Sequence, residues 1–198
     1  MNRLKFIQAI GEAVIPLLGF FYFEWSLYFI LLFYFIDLVT TEVFIHLKIN
    51  QILKFQSVRS YPKKWKLNTL INSLLVLIIL AGTHFVIALL YPGISFKQEF
   101  VDFVMYEEAG IPIPQGFILL PIVIFGNYQQ YKTMFLRPKL YQRQSWSFLL
   151  YSRRRALIIA LLGIVFGLAL AYFIAVPIVY YLLILVGIKF IIDFKFTP

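Results

Sequence analysis

The chain contains no cysteine and few charged residues. The absence of cysteine excludes disulfides, thiolate metal sites and cysteine nucleophiles. Charged residues make up 14% of the 198 residues and hydrophobic residues 62%. A soluble domain typically contains about 25% charged and about 45–50% apolar residues. This composition predicts an all-α, polytopic helical membrane protein.

Sequence motifs of several enzyme classes are also missing. The chain has no Gly-x-Ser-x-Gly, no P-loop and no His-Glu-x-x-His. The two histidines, His46 and His84, are predicted at different membrane depths, so they cannot ligate one haem. The sequence therefore predicts no catalytic residue, no metal site and no cofactor.

Long apolar runs predict six transmembrane helices in a single membrane domain, residues 1–198. The uncharged runs 67–96 and 156–188 exceed the roughly 20 residues that cross a bilayer. Two runs too long for one crossing are divided by turns, at residues 24–26 and near Pro177. The predicted spans are 4–23, 26–47, 67–91, 116–135, 156–175 and 178–196, with an outer amphipathic helix over 96–108.

The basic residues give the predicted orientation. With the N-terminus inside, 17 of the 18 lysines and arginines fall in cytoplasmic segments, and Lys97 is the exception. Both termini are therefore predicted in the cytoplasm, with the chain in a bacterial cytoplasmic (inner) membrane. A five-span alternative would move a basic cluster to the outside.

Two basic segments, 48–66 and 132–155, combine cations with aromatic residues and contain no acid. This pattern is typical of segments that bind anionic lipid headgroups, here on the cytoplasmic side. An acidic partner is the alternative ligand, and no nucleic-acid-binding module accompanies the charge. The residues predicted to bind headgroups are Lys63, Lys64, Lys66, Arg153, Arg154 and Arg155.

Polar residues inside the predicted spans form two layers. Counting along the helices places a midplane cluster of Glu12, Asp37, Asn127 and Lys189 within about one turn of the bilayer centre. Charges at that depth turn inward and pair, and Asp37 with Lys189 is the first expected pair.

A second layer, an inner polar seam, lies nearer the cytoplasm and comprises Glu42, His46, Asn68 and Asn72. Each of its two pairs is spaced four apart, so each pair shares one helical face. Structural hydrogen bonding is the main interpretation of both layers, and a proton or ion path is the alternative.

Small residues recur along the fifth predicted span and include Gly163 and Gly167. Small side chains allow close approach of helices in lipid. The pattern predicts helix packing within the chain, with a homo-oligomer face as the alternative.

The order "IPLLGFFYFEWSLYFILLFYFIDLVTTEVFIHLK" resembles the opening of an uncharacterised family of bacterial multi-pass membrane proteins. The matching residues are Ile15, Pro16, Leu17, Trp25, Tyr34, Asp37 and Lys48. Where members of that family have an acidic residue followed by asparagine, this chain has Asp37 followed by Leu38. The resemblance covers the N-terminal fifth of the chain and implies only the multi-pass topology.

These features favour an integral subunit or partner protein of a larger membrane complex. The principal alternative is a small proton- or ion-coupled transporter that uses the midplane carboxylates. The third interpretation is an intramembrane lipid-modifying enzyme. It would need a catalytic residue, and none of the catalytic motifs considered above is present. A membrane-protein partner or a homo-oligomer is expected in the leading interpretation.

Overall fold

The computed structural model describes residues 2–56, 63–105, 115–174 and 176–196, and every regular element among them is helical. The α-helices are α1 (Asn2–Tyr22), α2 (Leu27–Phe55), α3 (Lys63–Leu90), α4 (Phe96–Met105), α5 (Gln115–Gln130), α6 (Trp146–Phe173) and α7 (Ile178–Phe196). A π-helical segment, Tyr131–Leu136, follows α5, and a short 3₁₀ turn, Leu140–Gln142, precedes α6. The all-α prediction is confirmed.

Three of the helices are long and apolar enough to cross a membrane. They are α2, α3 from Lys64, and α6. The apolar part of α1, Ala9–Tyr22, is shorter. The 16 residues of α5 reach only about 24 Å, and α7 carries three charged residues near its end. The six-span topology therefore stays a prediction.

The exposed face of α2 changes character along the helix. Val39, Val43 and Leu47 form an exposed aliphatic stripe, and the exposed positions that follow are Asn50, Lys54 and Phe55. The spacing of four along the stripe keeps its three side chains on one face. The helix thus continues beyond the predicted second span, and its last eight residues lie past the aliphatic stripe.

A tight turn joins α1 to α2 where the sequence predicted a break. The N–H of Trp25 donates to the carbonyl of Gly19 at 3.0 Å, and Glu24 takes a left-handed conformation with φ 53°. The Trp25 ring lies against Gly19, where a side chain would collide with it. Ser26 caps α2, because its Oγ accepts a hydrogen bond from the Phe29 N–H at 3.0 Å.

The helices are distributed over two compact units. The first contains α1, the start of α2, α3 from Asn72, α6 from Ser152, and α7. Within it α1 packs on α7, where the Phe6 ring lies 6.2 Å from Phe190 and 5.9 Å from Phe194. The second contains α2 from Leu31, α3 up to Ile71, α4, α5, the π and 3₁₀ segments, and the start of α6.

The second unit has a hydrophobic core built from the ends of its helices. Its buried members are Ile45, Ile49, Ile52, Leu53, Phe135, Leu149 and Leu150. Partly buried side chains pack around them, namely Trp65, Tyr131, Leu136, Leu140, Tyr141 and Trp146. The two basic segments, which the sequence predicted to bind headgroups, therefore contribute to one core. Several apolar residues of each segment pack into it, whereas Phe55 and Phe148 are exposed.

The two glycines predicted for helix packing have different surroundings. A Cβ at Gly163 would meet the side chain of Ile188 on α7, whereas a Cβ at Gly167 has no atom within 4 Å. Close approach of α6 and α7 therefore depends on Gly163.

We expect Gly163→Ala to destabilise the protein and Gly167→Ala to be close to neutral. A Cβ at 163 must displace the Ile188 side chain, and overpacking of this kind costs about 1–3 kcal/mol. Gly167 is buried but leaves room for a Cβ. Thermal unfolding of the two purified variants in detergent measures the difference. Equal unfolding temperatures for the two variants would contradict the packing described here.

Candidate functional site

A charged cluster in the first unit is centred on Lys189 of α7. Its ammonium lies 3.0 Å from the Glu12 carboxylate of α1 and also bonds Asp193, one turn further along α7. The side chains are largely buried, with 16% of Lys189, 31% of Glu12 and 15% of Asp193 exposed. We call these three residues the Lys189 cluster. It links α1 to α7 by a charge-assisted hydrogen bond.

The composition of the Lys189 cluster leaves an excess of acid. When all three side chains are ionised, the two carboxylates and one ammonium carry a net charge of −1. In apolar surroundings such an excess favours binding of a proton or another cation. The cluster can therefore hold α1 against α7 and can also bind one further positive charge.

A second polar centre, on Asn127 of α5, lies in the second unit. The Asn127 amide donates to the Asp37 carboxylate at 2.8 Å and to the Val123 carbonyl at 3.2 Å, and its oxygen accepts from Thr41 at 3.2 Å. Asp37 and Thr41 are one turn apart on α2, so both face α5. The amide is buried with its hydrogen-bonding groups occupied. It joins α2 to α5.

The sequence predicted one midplane cluster of four residues. The structure brings Glu12 together with Lys189, and Asp37 together with Asn127. The pairing of Asp37 with Lys189 stays a prediction.

The residues of the predicted inner polar seam make several kinds of contact. His46 lies 3.8 Å from Glu42 on α2, and its ring meets the Trp65 ring edge-on at 6.2 Å. The Asn68 amide donates to the Lys64 carbonyl of its own helix.

Asn72, the fourth seam residue, belongs to the first unit. Its fully buried side chain accepts a hydrogen bond from Arg154 Nε at 3.2 Å, which links α3 to α6.

The three consecutive arginines of α6 point in different directions. Arg153 is buried, Arg154 is half-buried beside Asn72, and Arg155 is exposed. Successive residues of a helix turn by about 100°, so three neighbours cannot share one surface. Among the lysines predicted to bind headgroups, Lys64 and Lys66 are exposed, and the side chain of Lys63 lies outside the described part of the structure.

Sequence reasoning missed two of these contacts. Asp193 was not among the predicted site residues, although its spacing of four from Lys189 is a signal for a helical ion pair. The second is a hydrogen bond of 3.0 Å between the Tyr28 hydroxyl and His84 Nε2. Tyr28 and His84 are 56 positions apart, and no local spacing relates them.

No known protein identifies this site. The chain matches no family model, no curated protein and no solved structure. Among the described residues no three His, Cys, Asp or Glu side chains are grouped so that they could hold a metal ion. The resemblance to an uncharacterised bacterial membrane family therefore remains an expectation.

Removal of the Lys189 ammonium tests how much the Lys189 cluster stabilises the fold. We expect Lys189→Met to lower the free energy of unfolding by about 3 kcal/mol, because two carboxylates then share apolar surroundings without a cation. The combined change Lys189→Met, Glu12→Gln and Asp193→Asn should recover much of this loss, because it removes all three charges.

Lys195→Met is the matched control, because this lysine lies exposed near the end of the same helix. Denaturant unfolding in detergent measures all the variants. If Lys189→Met and Lys195→Met unfold alike, the cluster does not stabilise the fold.

Proposed function

We propose that the chain is an integral subunit or partner protein of a larger membrane complex. One observation carries the proposal: polar side chains within the apolar helices bond to polar side chains of other helices. Lys189 joins α7 to α1, Asn127 joins α5 to α2, and Arg154 joins α6 to α3. Polar groups used in this way stabilise helix packing.

The exposed faces support the same proposal. Large apolar side chains are exposed along the helices, including Leu70, Leu74 and Leu77 of α3 and Leu162 and Val165 of α6. Such faces suit contact with lipid or with other membrane helices. In this proposal they provide the surfaces on which a membrane-protein partner, or a second copy of the chain, assembles.

The proposed topology has six spans, with both termini in the cytoplasm of a bacterial cell and the chain in its inner membrane. The excess of basic residues in the segments assigned to the inside supports this orientation. In this arrangement Lys64, Lys66 and Arg155 lie close to the anionic headgroups of the inner leaflet.

Single cysteines introduced into this cysteine-free chain test the topology. We expect Asp102→Cys to react with a membrane-impermeant maleimide in intact cells, and Lys66→Cys and Arg143→Cys to react only after the membrane is opened. All three positions are exposed, so access depends on their side of the membrane. Labelling of position 143 in intact cells would contradict the six-span proposal.

Isolation in mild detergent tests the subunit proposal. We expect the full chain to leave native membranes in a stoichiometric complex that native mass spectrometry resolves. Lys189→Met should reduce recovery of that complex in step with its loss of folded protein, because complex formation requires the assembled helices. A chain recovered alone, as one copy, would contradict the proposal.

The Lys189 cluster supports a second candidate function, a small proton- or ion-coupled transporter. Its two carboxylates and one ammonium provide a place for one exchangeable positive charge. Proteoliposomes that contain only this chain would then dissipate a pH gradient. That flux should be lost in Glu12→Gln and retained in Asp102→Asn, which alters an exposed acid of α4.

A further inference from the structure

A rigid turn carries three exposed cations in the second unit. The turn runs from Leu136 to Arg143 and exposes Arg137, Lys139 and Arg143. We call it the cationic turn. Backbone hydrogen bonds of 3.0 Å from Lys139 to the Leu136 carbonyl and from Arg143 to the Leu140 carbonyl fix its shape.

Apolar side chains anchor the same turn. Leu136, Leu140 and Tyr141 pack against the hydrophobic core of the second unit. Apolar side chains thus face inward, whereas the three cations point outward. The backbone positions of the three cations are fixed before any ligand arrives, which reduces the entropy lost on binding.

The cationic turn lies past the end of the aliphatic stripe on α2. The Tyr141 ring meets the Phe55 ring edge-on at 5.5 Å, and Phe55 is the last residue of α2. Leu47 is the last exposed aliphatic side chain of α2, and it lies eight residues, or about 12 Å along the helix, before Phe55. If α2 tilts by about 40° from the membrane normal, about 9 Å of this distance remains along the normal. With the edge of the hydrocarbon core placed at Leu47, the turn extends beyond a headgroup layer about 5–7 Å thick.

The surface around the turn combines positive charge with an aromatic side chain. Phe55 is 51% exposed, and its neighbour Lys54 is exposed as well. The stretches 43–98 and 109–192 contain no Asp or Glu, so no carboxylate in them neutralises this charge. Arginine and aromatic residues are enriched in protein-binding surfaces.

We propose that the cationic turn, with Lys54 and Phe55, binds an acidic segment of a partner protein. The proposal rests on the proposed function, because it names the chemistry through which a partner in the membrane complex attaches. Three charges on a rigid turn favour a run of carboxylates, and Phe55 provides a contact for an apolar residue in that run. In this proposal the turn lies beyond the headgroups of the bilayer that holds the chain, so these headgroups are not its ligand.

Peptide binding tests the chemistry of the surface. The full chain is placed in nanodiscs of phosphatidylcholine, and fluorescence anisotropy follows a labelled peptide of twelve glutamates, with twelve glutamines as the uncharged control. We expect the combined change Arg137→Gln, Lys139→Gln and Arg143→Gln to weaken binding of the glutamate peptide by about tenfold or more at low salt.

The control variant changes Lys97, Arg155 and Lys195 to Gln, so it loses the same net charge from exposed positions elsewhere. It should bind the glutamate peptide within about twofold of the unaltered chain. Equal loss in the two triple variants would overturn the proposal, because binding would then follow net charge alone.

A fluorophore on Gln142→Cys tests the depth, since this residue is exposed on the turn. We expect iodide in solution to quench the fluorophore strongly and lipids with a headgroup nitroxide to quench it weakly. Strong quenching by the lipid nitroxide would overturn the proposal and assign the turn to the membrane surface.

Isolation of the complex separates this proposal from the proposed function. Loss of the complex in the turn variant, with recovery in the control variant, supports both. A complex that both variants retain overturns the docking surface and leaves the proposed function in place. If the unaltered chain forms no complex but its turn binds the peptide, the proposed function fails and the chemistry of the surface is supported.

Discussion

The free-energy cost of placing a polar side chain in apolar surroundings determines much of the helix pairing in this structure. An ionised side chain near the middle of a membrane costs roughly 2.5–3.5 kcal/mol even by insertion measurements, so it must find a partner. In this chain the partners lie on other helices, as Lys189 with Glu12 and Asn127 with Asp37 show. Each contact therefore lowers the cost of a polar residue and also fixes which helices are neighbours.

The same constraint explains why the two proposed roles, structural and transport, concern one site. The Lys189 cluster holds α1 against α7, and its composition of two acids and one base also allows a proton to bind. Asn127 differs, because its amide is neutral and its donors and acceptor are used within the fold. In the second unit a neutral amide thus pairs with the Asp37 carboxylate, whereas in the first unit an ammonium pairs with two carboxylates.

Apolar packing continues past the last exposed aliphatic side chain of α2. After Leu47 the exposed residues of the helix are Asn50, Lys54 and Phe55, while Ile49 and Ile52 remain fully buried. The last turns of α2 therefore still contribute to the core. The same core anchors Leu136, Leu140 and Tyr141 of the cationic turn.

Composition and periodicity predicted the helical class, the turns near Trp25 and Pro177, and the presence of polar residues inside the helices, because these depend on neighbours along the chain. Depth counting predicted Glu12, Asp37, Asn127 and Lys189 at one level. The partners of Lys189, the unequal surroundings of Gly163 and Gly167, and the joint core of the two basic segments depend on which helices are adjacent. Helix adjacency is decided by contacts between residues far apart in sequence, such as Glu12 and Lys189, and only the tertiary structure specifies them.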